Sequence, residues 1–225
     1  MAEYRRFYQS GGSYFFTVVT YNRMPILTTS ENLSRLHQSF KHVMNQHSFT
    51  IEAMVILPDH LHCIWQLPPG DSDFSTRWRL IKRYFSITKD KPVNPVRMSS
   101  TFQLDDSHGA LNPVFALKGI LSSSPIQAPI EAGLRTRQAV GFSNGVTERG
   151  EKNIWQRRFW EHFLRDEEDW RRHIDYIHYN PVKHGYVQNP ADWPHGSFQK
   201  ALQEGLYPIG WGMKEPSFIS DMNKE

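Results

Sequence analysis

Residues Ser13–Asn22, SYFFTVVTYN, are rich in β-branched and aromatic side chains behind Gly11-Gly12, which predicts a strand. The spacing then changes. Leu33, Leu36, Phe40, Val43 and Met44 recur at helical intervals, with Ser30 available as the N-cap. Phe49–Pro58 and HLHCIWQLP read as two further strands, joined at Pro58-Asp59 by a tight antiparallel connection. Ser75–Lys89 predicts a second helix whose apolar stripe is Trp78, Ile81 and Phe85. This order predicts an α+β fold, an antiparallel sheet with helices packed on one face. From about residue 93 to 150 the chain becomes rich in Pro, Gly, Ser and Asn and no period is sustained, as expected of a flexible insertion. Order returns at RRFWEHFLR, a short strand, and then at a helix that Asp166 caps. Pro181 is expected to stop that helix and Gly185 to mark the turn after it. Residues 1–187 thus form one domain, followed by an irregular tail over 188–225.

Composition narrows the class. Hydrophobic residues make up 39% and aromatics 13%, enough for a real core and against global disorder. Twenty-six Lys and Arg against 23 Asp and Glu leave a net charge of +3, compatible with a polyanionic partner. A single cysteine, Cys63, excludes an internal disulfide and suits a reducing compartment. No run approaches the roughly 20 apolar residues of a membrane span, and the N-terminus lacks the apolar core of a signal peptide. Cytoplasmic placement without membrane attachment is the expectation.

The chemistry-bearing positions fall in two places. Along a strand, His60, His62 and Ile64 share one face while Leu61, Cys63 and Trp65 share the other. Two imidazoles on one face are either an ordinary structural pair or the beginnings of a metal site. On the last helix, Trp170, Ile174 and Ile177 make a core stripe, with Asp169, His173, Tyr176 and Asn180 on the flank beside it. Tyr176 and Asn180, at i and i+4, reach one region of space. A His-x-His strand facing Tyr-x-x-x-Asn supplies two nitrogen ligands, one amide oxygen and a phenol, a set suited to metal-assisted phosphoryl transfer. Tyr179, on the neighbouring helical face, is the alternative nucleophile. His173 and His178 read as phosphate contacts or structural residues, and Cys63 as a small core residue.

LPDHLH, together with FWEHFLRDEEDWRRHIDYIHYNPVKHG, resembles the REP-associated tyrosine transposases, a branch of the single-tyrosine HUH transposases. The resemblance spans roughly residues 1–92 and 150–200. It implies a ferredoxin-like (RRM-like) domain, a divalent metal, Mg²⁺ or Mn²⁺, and cleavage of single-stranded DNA. It further implies a 5′-phosphotyrosine intermediate, a free 3′-hydroxyl, and REP/BIME-type hairpins as substrates for a nucleoid-associated monomer or homodimer. By position, His60 and His62 become the HUH ligands, Asn180 the third ligand and Tyr176 the nucleophile. The segment between Pro92 and Gly150 departs from the compact pattern of the family.

Basic residues beside aromatics fit a single-stranded substrate, with phosphates neutralised and bases stacked. Arg5 and Arg6, Arg79 and Arg83 (with Arg77 and Lys82 on the same helix), Arg157 and Arg158, and Lys183 beside His184 are the candidate DNA contacts. For the charges of the second helix a solvated face is the competing reading. Trp193 and Trp211 of the tail stack on DNA, cover the site or simply pack. Two other functions compete: a replication or conjugation initiator nuclease with HUH chemistry, and a non-catalytic RRM-like nucleic-acid-binding module. The second of these would carry exposed aromatics where this strand has His60 and His62.

Overall fold

The computed structural model describes residues 7–87, 154–217 and 219–222. Arg5, Arg6 and the expected insertion at 93–150 lie outside these residues. Four antiparallel strands, β1 (Ser13–Val19), β2 (Thr50–Ile56), β3 (His60–Gln66) and β4 (Trp160–Phe163), form one sheet in the order β2-β3-β1-β4. Helices α1 (Ser30–Gln46) and α2 (Phe74–Ile87) complete a ferredoxin-like α+β fold. They cover the sheet face that carries Phe16, Cys63 and Trp65. The last long helix, α3 (Glu167–Lys183), lies on the opposite face, against Phe15, Val55 and Ile64. The one-sided layering expected from sequence therefore accounts for α1 and α2, while α3 roofs the histidine face. Among the described residues no helix is long and apolar enough to cross a membrane.

Several local features differ from the pattern-based reading, each for a physical reason. β1 stops at Val19 because Asn22 and Arg23 both adopt positive φ, 51°, in a single 3₁₀ turn. Thr29, not Ser30, caps α1, its hydroxyl accepting from the Asn32 amide. In β2 the register slips between Ile51 and Ala53, so Glu52 is an extra, bulged residue. That slip lets Ile51 join the α1–α2 core while Ala53, Val55 and Leu57 face α3.

Pro181 does not stop α3, which runs through Lys183. A proline in the last turn forfeits only its own N–H donation, and His184 still donates to the Asn180 carbonyl. Gly185, at φ +71°, ends the helix: its amide donates to Val182 and the Tyr186 amide to Pro181, the paired bonds of a Schellman motif.

The segment expected to be irregular contains α4 (Phe198–Gln203) and extends the sheet locally. His195 O accepts from the Ile56 amide and the Ser197 amide donates to Met54 O, which satisfies part of the β2 edge. Below it lies a buried polar chain. Tyr207 donates to Asp175 at 2.6 Å and lies 3.0 Å from His178 Nδ1, while His178 Nε2 lies 2.9 Å from the Ser197 hydroxyl. Burial drives His178 down to about 3, so it is neutral here, and pushes the Asp175 carboxyl up to about 6 against the Tyr207 hydrogen bond. His178 is structural. Trp193 packs too, donating to the Ile56 carbonyl, and Trp211 packs against Tyr207 with ring centroids 4.3 Å apart and the planes tilted by 46°.

Candidate active site

β3 and α3 build the site. The strand alternation puts His60 and His62 on the α3 side, at 1% and 0% exposure, with Thr17 the cross-strand neighbour of His62. Each imidazole is held through Nδ1. His60 Nδ1 donates to Asp59 at 2.6 Å, and His62 Nδ1 lies 2.9 Å from the Thr17 hydroxyl. Burial alone would raise the Asp59 carboxyl, but donation from His60 and Arg23 and their charges hold it below the ordinary carboxylate range. With both Nδ1 atoms engaged, Nε2 is the atom by which either ring would reach a metal. Such orienting partners behind histidine ligands are the usual second layer of a metal site.

Helix α3 lies directly over this pair. The Tyr176 ring is 5.3 Å from His62, and the His184 ring 5.2 Å from His60. Asn180, one turn from each of these two, is fully buried between them on the same helix face. Tyr176 is 3% exposed, and Lys183 Nζ donates to its hydroxyl at 3.1 Å while lying 4.8 Å from its ring centre. Tyr179 points elsewhere, toward the C-terminal segment at Gly212. His60, His62 and Tyr176 thus come together, with Asn180 buried one turn beyond Tyr176 on the same helix and Lys183 against the Tyr176 hydroxyl.

The other basic residues divide. Arg157 and Arg158 are exposed and follow Gln156, whose amide donates to Val19, the register partner of His60; they sit at the His60 end of the sheet. Arg79 and Arg83 are exposed on α2, across the sheet from the histidines. Arg77 is corrected to a structural role: it is 3% exposed, donating to the His47, Ser48 and Asp73 carbonyls and to Asp71. Lys82 donates to the Gln156 carbonyl.

A second cluster was not assembled from sequence. His162, Asp169 and His173 place three ligand-type atoms within 4.8 Å of one another. His162 donates to Asp169 at 2.8 Å, Arg165 donates to the same carboxylate, and His173 Nδ1 donates to the Asp169 carbonyl at 2.7 Å. Burial would raise the Asp169 carboxyl, yet donation from His162 and Arg165 holds it low. The two imidazoles stack nearly parallel, 16° between planes, so their in-plane lone pairs do not converge. We read this group as a hydrogen-bonded clamp between β4 and the start of α3. Asp169 and His173 were visible as flank residues; only the fold brings His162 to them.

A buried His-x-His strand roofed by a tyrosine-bearing helix, on a ferredoxin-like sheet, is the architecture of a single-tyrosine HUH transposase. Residues 8–100 match the family model for IS200-like transposases. The chain is 37% identical, over 94% of its length and 91% of the relative's, to the REP-associated tyrosine transposase of Escherichia coli (strain K12). It is 32% identical, over 94% of both chains, to a putative REP-associated tyrosine transposase of Haemophilus influenzae (strain ATCC 51907 / DSM 11121 / KW20 / Rd). A solved REP-associated tyrosine transposase bound to a REP hairpin matches at a TM-score of 0.63 and 35% identity, covering 96% of each chain. The chain belongs to the REP-associated tyrosine transposase family and is an enzyme of that class. Transposases of this type are metal-dependent.

Proposed function

We propose that this transposase cleaves and transfers single-stranded DNA at REP-type hairpins, with Tyr176 as the nucleophile and His60, His62 and Asn180 as ligands for Mg²⁺ or Mn²⁺. In this reading residues 1–187 are the catalytic domain, the 188–225 segment is its appendage, and the enzyme works at the nucleoid. The observation that carries the reading is the 5.3 Å approach of the Tyr176 ring to His62 beneath α3. The hydroxyl attacks the scissile phosphorus; the Tyr176 Oη–P bond forms as the P–O3′ bond breaks. The phenolic proton ends on O3′, leaving a free 3′-hydroxyl and a 5′-phosphotyrosine. Reversal of the step, with a second 3′-hydroxyl as nucleophile, rejoins strands.

When bound, the metal would neutralise the phosphate and polarise the P–O bonds. The donor set fits such an ion: two imidazoles oriented from behind by Asp59 and Thr17, plus a neutral amide. Nitrogen donors favour Mn²⁺ over Mg²⁺, and a set with no formal charge leaves the substrate phosphate to complete the site. Arg157 and Arg158 serve as phosphate contacts at the His60 end.

The test is incubation with single-stranded REP-type hairpin oligonucleotides and Mn²⁺ or Mg²⁺, followed by denaturing electrophoresis. The wild type should form a covalent protein–DNA adduct. Tyr176→Phe should lose it while binding the hairpin normally, since only the phenolic oxygen is removed. An adduct in Tyr176→Phe that disappears in Tyr179→Phe would overturn the assignment.

A further inference from the structure

We infer that Lys183 is a catalytic residue that activates Tyr176, beyond any contact it makes with DNA; the inference rests on Tyr176 being the nucleophile. Its ammonium donates to the one atom that must attack, at 3.1 Å, from within the same helix. The placement follows from the way α3 ends. Because the helix passes through Pro181 and closes only at Gly185, Lys183 stays on the stripe of Tyr176 and Asn180, at i+7 and i+3. A helix ended at Pro181 would have released Lys183 from that register.

The chemistry requires such a group. A phenol is a poor nucleophile at neutral pH, and Tyr176 is almost wholly shut away from water that could stabilise its anion. A cation hydrogen-bonded to the oxygen favours the phenolate as the proton departs. Charge builds on Tyr176 Oη, the Oη–P bond forms, and the electron pair of P–O3′ leaves on O3′, which takes up the phenolic proton. In the rejoining step Tyr176 is the leaving group, and the same ammonium stabilises the departing phenolate. One residue thus serves cleavage and transfer alike.

The experiment compares wild type, Lys183→Gln, Lys183→Met and Lys183→Arg under single-turnover conditions at saturating hairpin, across pH 6 to 10. Lys183→Gln and Lys183→Met should form adduct at least about tenfold more slowly at neutral pH. The deficit should shrink as pH rises, and Lys183→Arg should restore much of the rate. Hairpin affinity should change little. In parallel, ultraviolet titration of phenol ionisation without DNA, each protein against its own Tyr176→Phe partner, isolates the Tyr176 signal. Its midpoint should lie lower in wild type than in Lys183→Gln. An unshifted midpoint, or a rate loss that is independent of pH and accompanied by weaker binding and a shallower salt dependence, would overturn the role and return Lys183 to a phosphate contact. Absence of an adduct in the wild type would instead overturn the strand-cleavage reading, while the DNA-free titration still reports on Lys183 and Tyr176.

Discussion

On the α1–α2 side of the sheet, Phe16, Trp65, Trp78 and Phe40 pack ring against ring; Trp65 and Trp78 stack at 4.3 Å and Phe40 meets both edge-on. On the α3 side the same strands present Thr17, His60 and His62 between Phe15 and Ile64, equally buried but hydrogen-bonded. Successive residues of β3 serve the two purposes in turn: Leu61, Cys63 and Trp65 consolidate, while His60 and His62 hold functional groups in place. A dry apolar layer contributes stability through area removed from water, whereas a buried polar layer at best offsets its own desolvation. The apolar face therefore carries most of the stability while the other face carries the chemistry, and the two should fail differently.

The sharpest way to separate them is a pair of substitutions in one strand. Trp65→Ala should destabilise the protein by about 3–5 kcal/mol, read by thermal or urea unfolding, with adduct yield per folded molecule unchanged. His62→Ala should cost far less stability yet reduce metal-dependent adduct formation about a thousandfold or more, and His60→Ala likewise. Equal activity loss in folded Trp65→Ala, or full activity of His62→Ala in chelator, would erase the distinction.

A smaller effect is expected where α3 meets the C-terminal segment. The Asp175 carboxyl lies at about 6, raised above its ordinary value by burial. The native state therefore favours its protonated form. Stability from this group is fully present below the unfolded-state value, near 4, and is lost as pH rises through about 6. Asp175→Asn, which still accepts from Tyr207, should melt above wild type at pH 8, with the gap closing by about pH 4. A constant gap across that range would show that ionisation is not the cause.

The least effect is expected at Arg79 and Arg83. They sit on the outer surface of α2, with the apolar layer between them and the site. Their joint replacement by Ala should alter the log–log salt dependence of hairpin binding by less than one phosphate contact, about 0.7–0.9 in slope. A larger flattening would mean the DNA wraps onto the α1–α2 side.

Much of this was legible in the chain. The HLH spacing in a strand dictates a shared face whatever surrounds it, and Tyr176 and Asn180 at i and i+4 dictate a shared helix stripe, because both periods are local backbone geometry. Asp166, followed by three acidic residues, specified where α3 begins. The rest depended on contacts between segments remote in sequence. Whether α3 packs beside α1 and α2 or across the sheet depends on which apolar face it buries, and both faces of the sheet carry enough apolar residues to accept it. The Glu52 bulge relieves a mismatch between β2 and β3 that neither strand shows alone. Arg77 looked like one of four surface charges, but the loop between α1 and β2, folding over it, supplies the His47 and Ser48 carbonyls that help bury it. Pro181 lowers the odds of helix locally, yet packing of α3 on the sheet outweighs one missing hydrogen bond and carries Lys183 to the Tyr176 hydroxyl. Periodicity determined which groups share a face; burial, available only once the chain has folded, decided which groups meet.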